Sequence, residues 1–239
     1  MVKWLLMILL GMILSGMALL FFLRRIWFYR DPTRVPPEGE NLIVAPADGK
    51  IVYIRPFNKG EVISEKLGRP IPITEITRGP AWGESGWLIG IYMSPLDVHF
   101  NYAPLAGKIV DIIHTPAAVN LPMVDLWEYI RLTYLRQVVD LFSHRYRLVN
   151  ERLTLFLSHE HLNVALVEIA DKFVNKISCF VRPGQEVAMG HKLSFIERGS
   201  QVDLIIFSQE LEFLVKVGQQ VYGARTPICR YFPGDREKK

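Results

Sequence analysis

Three short stretches hold side chains able to do acid–base or nucleophilic chemistry. VAPADGKIV places Asp48 in a Pro-Ala-Asp-Gly turn, and MSPLDVHFNYAP carries Asp97 and His99 two residues apart. SFIERGSQVDLIIF, residues 194 to 207, contains Gly199-Ser200, the one Gly-Ser step in the chain. In an extended segment residues two apart face the same way. A carboxylate beside an imidazole orients it and raises its basicity, as a general base requires. A serine is a weak nucleophile until a base takes its proton, and a glycine before it leaves its carbonyl open because no Cβ stands in the way. Each stretch alone has an ordinary explanation, since Asp-Gly and Gly-Ser are common in turns. Their combination and order point to chemistry.

The elements that must position these residues begin with the N-terminus. From Trp4 to Leu23 the only polar side chain is Ser15. A run of this length spans a hydrocarbon core as a helix. It passes directly into bulky FFLRRIWFYR, without the small-residue site at which a signal peptide is cut. Residues 1–27 therefore read as a retained membrane anchor. Lys3 precedes the run, whereas Arg24, Arg25, Arg30 and Arg34 follow it, so the positive-inside bias places the body on the cytoplasmic side of the cell membrane. Whether the anchor crosses or only dips in is left open. RDPTRVPPEGE then reads as a proline-rich spacer between anchor and globule.

The formal net charge is +4 over 239 residues, an excess that suits an anionic membrane or a nucleic acid. No stretch resembles a nucleic-acid module, so the membrane is preferred. Cys179 and Cys229 lie on apolar stretches and read as buried free thiols. There is no CxxC or Cys/His cluster to suggest a metal site. His114, His144, His159 and His161 lack the spacing of a ligand set, and SHEHLN reads as a polar turn.

The body is rich in short Val/Ile segments bounded by Gly and Pro. They are NLIVAP, GKIVYIRPF, WLIGIYMS, GKIVDIIHT, NVALVEIA, KISCFVRPG, KLSFIE, QVDLIIF and EFLVKVGQQV. They predict a mainly β (α+β) fold. DGKIVYI and AGKIVDI show a weak internal similarity short of a repeat array. From Met123 to Tyr146, apolar Met123, Trp127, Ile130, Tyr134, Val138 and Leu141 recur at helical spacing. This predicts an amphipathic helical insertion, either packed on the sheet or acting as a membrane-facing lid.

The blocks FYRDPTRVPP, VAPADGKIV, SPLDVHFNYAPLAG, NERLTLF and MGHKLSFIERGSQVDLIIF, taken in this order, resemble the phosphatidylserine decarboxylases, which are pyruvoyl-dependent membrane enzymes. The resemblance runs from Phe28 to about Phe207. It implies a decarboxylase domain over 28–239 that cuts itself into a β chain, 1–199, and an α chain, 200–239. Ser200 would attack the Gly199 carbonyl to form an ester, whose elimination and hydrolysis would leave a covalent pyruvoyl group derived from Ser200. His99, paired with Asp48 or Asp97, would supply the base. The same His99 would return the proton once the serine headgroup has lost carbon dioxide to the pyruvoyl electron sink. The implied partner is phosphatidylserine in the membrane, with no metal and no external cofactor. A homodimer is left open.

Three positions depart from the family pattern. Tyr102 stands where some members have a second histidine, Arg198 stands before the Gly-Ser step, and the 123–146 insertion is long. Tyr102 leaves His99 to serve both self-cleavage and decarboxylation. Three alternatives remain: a related serine lipid such as archaetidylserine, a pyruvoyl decarboxylase of a soluble amino acid, or a non-catalytic membrane-anchored adaptor. The adaptor reading rests on PADGKIVYI and VRPGQEVAMGHKLSFIE, which resemble lipoyl-like β-sandwich modules. The expected body is accordingly a β-sandwich/lipoyl-like hybrid. A carrier module would present a lysine near the hairpin tip, where His191 and Lys192 lie.

Overall fold

A computed structural model of the chain describes residues 2–64, 69–117, 119–135, 137, 139, 141–142, 146–172, 177–197 and 200–233. The apolar N-terminus forms helix α1 (Val2–Phe22), which ends in a single π-helical turn over Leu23–Trp27. At 1.5 Å per residue, α1 is roughly 31 Å long, the thickness of a hydrocarbon core. None of its residues is buried, and the helix is long and apolar enough to cross a membrane.

The body opens with β1 (Leu42–Val44) and β2 (Gly49–Phe57). The hairpin β3 (Glu61–Ser64) and β4 (Arg69–Pro72) and the short helix α2 (Ile73–Thr77) follow. Next come β5 (Gly86–Met93), β6 (Phe100–Tyr102) and β7 (Gly107–Thr115). Helices α3 (Leu126–Thr133) and α4 (Tyr146–Val149) interrupt the sheet before β8 (Arg152–Ser158) and β9 (Asn163–Ala170). Then come β10 (Ile177–Cys179), β11 (Glu186–Val187), β12 (Lys192–Ile196) and β13 (Ser200–Ile206). The last strands are β14 (Leu211–Phe213), β15 (Gln220–Val221) and β16 (Pro227–Tyr231).

Eight strands form one antiparallel sheet in the order β11-β7-β8-β9-β13-β5-β2-β15. Two three-stranded sheets, β1-β16-β14 and β10-β12-β6, accompany it. Alternation along each strand divides the apolar residues between two faces. Ile51, Ile91, Leu155, Leu166 and Leu204 enter one core, while Tyr53, Leu88, Phe156, Val167 and Ile205 enter the other. Burial of both faces explains the unbroken apolar runs in the sequence. The mainly β body with an N-terminal apolar helix agrees with the expected fold.

The order of the large sheet is a palindrome about the β9/β13 pair: β11 matches β15, β7 matches β2, and β8 matches β5. The sequence follows it, APADGKIVYI over 45–54 matching APLAGKIVDI over 103–112. Both copies shift register at the same place, between Ile51 and Tyr53 and between Ile109 and Asp111. Gly218 donates to Ile51 O and Gly184 to Ile109 O, each at 2.7 Å. The copies also bond each other, Val44 N–H to Pro104 O (2.8 Å) and Tyr102 N–H to Pro46 O (2.7 Å). The weak similarity seen in the sequence is thus an internal pseudo-two-fold.

The structure corrects three expectations. Among the described residues the insertion does not run as one helix: α3 starts at the Asp125/Glu128 capping box and covers Leu126–Thr133, and α4 begins at Tyr146. Met123, Leu141, Phe142 and Tyr146 pack in one core, whereas a straight helix from 123 to 146 would carry its ends roughly 35 Å apart. Trp127 and Tyr134, expected on the packed stripe, are exposed, and Val138 lies outside the described residues. Cys179 is exposed on the outer strand β10, and Cys229 alone is buried. The proline-rich stretch is not a free spacer. It docks on the body through Arg34 on Asp48 and Asp31 on Lys192, and Phe28 just before it is buried.

Candidate active site

The turn between β1 and β2 carries Asp48. Gly49, at φ +154°, follows it so closely against β5 that a Cβ would lie 2.3 Å from Tyr92 O. Only glycine lets the chain enter the sheet here. The Asp48 carboxylate is buried and accepts from Arg34 Nη2 at 2.9 and 2.8 Å and from the Gly223 N–H at 2.7 Å. Its counterpart in the second copy is Ala106.

β5 runs out into the turn that carries Asp97 and His99. Asp97 Oδ2 accepts from Ser94 N (2.8 Å) and Ser94 Oγ (2.7 Å), and Oδ1 accepts from Gln220 Nε2 (3.0 Å). Burial raises the Asp97 pKa, and the Ser94 bonds oppose that shift. These bonds turn the carboxylate away from the imidazole, so the side-by-side Asp97–His99 pairing of an extended segment does not form. The imidazole Nδ1 instead meets the main-chain Asp97 O at 3.0 Å.

His99 is fully buried, its ring tilted against Phe28 with centroids 4.1 Å apart. A carbonyl oxygen can only accept, so Nδ1 carries the proton and Nε2 keeps its lone pair. Nε2 is buried and has no partner among the described residues. Burial pushes the His99 pKa down to about 3, and the Arg30 guanidinium adds to the effect. The group is therefore a neutral imidazole at physiological pH, with one lone-pair nitrogen that has no partner among the described residues.

Ser200 opens β13, its backbone paired with Met93 of β5 and Ala170 of β9. Met93 immediately precedes the Ser94–Asp97 turn. From the other side, the Ile196 N–H at the end of β12 donates to His99 O at 3.1 Å. The stretch that crosses from β12 to β13 is thus tied to the His99 main chain at its start and to the root of the Asp97 turn at its end. Arg198 and Gly199 lie outside the described residues. Tyr102 is buried in β6, with Arg34 6.0 Å from its ring centre. A cavity of about 460 Å3 adjoins the turn, lined by Lys50, Tyr92, Ser94, Asp97, Leu132 and Gln220 among others. Lys50 Nζ donates to Leu132 O at 2.7 Å, which fixes the end of α3 to the cavity wall.

Sequence reasoning missed Glu168, the one carboxylate inside the apolar run NVALVEIA. It is completely buried, with Oε1 bonded by the Ser194 hydroxyl and Oε2 without a partner among the described residues. Asn101 Nδ2 donates to that same hydroxyl at 3.0 Å. Desolvation pushes the Glu168 pKa up from 4.5 to about 8. The folded state therefore holds a proton that the unfolded chain releases. The stabilisation is complete below pH 4.5 and is lost as pH rises through 8. Thermal melts should show the wild-type chain losing on the order of 1 kcal/mol per pH unit over that window relative to Glu168→Gln. Parallel pH profiles for the two proteins would show that Glu168 is not held protonated.

The chain is similar to known proteins over nearly its whole length. The family model for phosphatidylserine decarboxylase matches residues 21–229. A protein assigned as an archaetidylserine decarboxylase proenzyme of Methanothermobacter thermautotrophicus is 32% identical over 209 residues, 87% of this chain and 81% of that protein. The phosphatidylserine decarboxylase proenzyme of Pelodictyon phaeoclathratiforme is 29% identical over 217 residues, covering 91% of this chain and 82% of its own. That of Chlorobium limicola is 28% identical over 221 residues, covering 92% and 84%. The family match takes in Asp48, Asp97, His99 and Ser200 together with the strands that carry them, and on that extent this chain belongs to the phosphatidylserine decarboxylase family.

Proposed function

We propose that this chain is a self-processing decarboxylase of a serine phospholipid, phosphatidylserine being the first candidate, working at the cytoplasmic face of a membrane. It cuts itself between Gly199 and Ser200 and works through a pyruvoyl group left on Ser200. The observation that carries this reading is the free, buried Nε2 of a neutral His99, joined by its main chain to the strand that leads into the cut. An unpartnered imidazole lone pair at this place fits a group that needs a proton taken and returned. The pyruvoyl group supplies an electron sink for the pair left behind by carbon dioxide.

The chain's own residues do the rest. His99 takes the Ser200 hydroxyl proton during self-cleavage and relays a proton to the headgroup carbon afterwards, carrying it only in passing. Asp48 holds Arg34 and the Gly223 main chain in place. The cavity is large enough for a serine phosphate headgroup and too small for a whole lipid. The acyl tails therefore stay in the bilayer beside α1. A carrier role is disfavoured, because Lys192 near the hairpin tip is paired with Asp31. An archaetidylserine substrate has the same headgroup and would make the same contacts.

The test is the intact mass of the denatured protein, followed by incubation with phosphatidylserine vesicles. Two fragments meeting at Gly199/Ser200, the smaller blocked at its N-terminus, together with phosphatidylethanolamine in the vesicles, are the expected result. A single chain that leaves the lipid unchanged would sink the reading. Cutting without turnover of phosphatidylserine, but with turnover of archaetidylserine, would move the substrate to the ether lipid.

A further inference from the structure

We infer that the stem joining the apolar helix to the body is a working part of the catalytic centre, with Phe28 as a positioning residue that keeps His99 in its neutral, Nδ1-protonated form. The inference rests on the reading of His99 as the proton-transfer group. Four residues of the stem reach the site. Phe28 covers the His99 ring at 4.1 Å, and Trp27 Nε1 donates to Leu96 O at 3.3 Å. Arg30 Nη2 donates to the same carbonyl at 2.6 Å, while Arg34 holds Asp48. The main-chain oxygens of the turn that presents His99 are thus held from the membrane side.

Phe28 is buried yet belongs to neither apolar core. Its partners are His99, Tyr29 and Phe195, so its ring covers the site without filling the fold. Among the described residues the charged groups around the imidazole are few. Arg30 faces it from the stem and disfavours its protonation, and on its own turn Asp97 points its carboxylate at Ser94 and Gln220. Asp48, across the site, is neutralised by Arg34. Neither carboxylate stabilises an imidazolium, so burial, to which the Phe28 ring contributes at 4.1 Å, and the Arg30 charge keep the imidazole neutral. Withdrawing the stem would let water reach Nε2 and return the group toward the ordinary histidine range near 6.5.

The experiment measures maturation of freshly translated full-length precursor at pH 5.5 and 7.5 in the presence of vesicles. In wild type the base stays neutral at both values, and the rates should differ by less than about twofold. In Phe28→Ala an imidazole with an ordinary pKa is about nine-tenths protonated at pH 5.5, so cutting should slow about tenfold there relative to pH 7.5. Phe28→Leu keeps most of the apolar cover and should fall between. A purely structural role would slow both pH values alike, and equal slowing in Phe28→Ala overturns the inference. If Phe28→Ala does not fold, Phe28→Leu decides: a pH ratio above wild type supports the inference and an unchanged ratio overturns it. A wild-type chain that stays whole at both pH values overturns the parent reading instead, an outcome distinct from the others.

Discussion

Ser200→Ala is expected to remain one uncut chain and to lose lipid turnover entirely, not by a factor. On the proposed reading the substitution removes the nucleophile that makes the cut, and without the ester it forms there is no elimination to a pyruvoyl group, so no slower route survives. The fold should be untouched, because the backbone pairs that Ser200 makes with Met93 and Ala170 do not need a hydroxyl. Intact mass and carbon dioxide release from labelled lipid check the two halves of the prediction. Residual turnover by an uncut variant would remove Ser200 from the chemistry and leave it a strand residue.

Asp48→Ala should be the most damaging change to stability in the site. The Arg34 and Asp48 side chains are 6% and 5% exposed, so removing the carboxylate leaves a guanidinium buried without its counter-charge. Breaking a buried pair in this way typically costs about 3–5 kcal/mol. The Gly223 N–H also loses its acceptor. Removing both charges is milder, so Arg34→Ala/Asp48→Ala should recover a good part of that loss. A denaturant double-mutant cycle, run in the uncut Ser200→Ala protein, measures the coupling. If the two single changes simply add, the pair is not the clamp described here.

The sheet strands were legible where Val/Ile runs are bounded by glycine. GKIVYIRPF, GKIVDIIHT and NVALVEIA match β2, β7 and β9 residue for residue. Of the strands of two to four residues, β3, β4, β6 and β11 leave no pattern in the sequence, because pairing defines them. β11 exists only because Glu186 and Val187 lie beside Lys108 and Gly107. The β8 segment RLTLFLS is buried along most of its length, and its Leu-rich, Arg-led composition lacks the Val/Ile signal of its neighbours. The insertion misled because periodicity says nothing of where a cap begins a helix or where tertiary packing bends the chain out of one.

In the site, Asp48, His99 and Ser200 stood out by type and spacing, and the register brings their backbones around one end of the sheet. What the sequence hid was how each is held. A proline-rich stretch reads as a spacer, and nothing local says that Phe28 will cover a histidine 71 residues further on. The main-chain contact of His99 was equally hidden, because Asp-x-His suggests a carboxylate partner and the turn supplies a carbonyl. Glu168 did leave a signal. A single carboxylate in a strand buried on both faces must be protonated, paired or bonded.

The internal two-fold gives this protein a control that most enzymes lack. At the end opposite the site, Gly107, Lys108, Ser158 and Glu186 line a cavity of about 380 Å3, built from the matching strands. It has the same architecture, with Ala106 in place of the acid. Both ends share the strand register, the register shift and the glycine entry into the sheet. Only one of them has the Asp48 carboxylate and the Arg34 that covers it. The second end is thus an internal comparison, inside one molecule, that separates what the sheet alone builds from what the stem and the acid add to it.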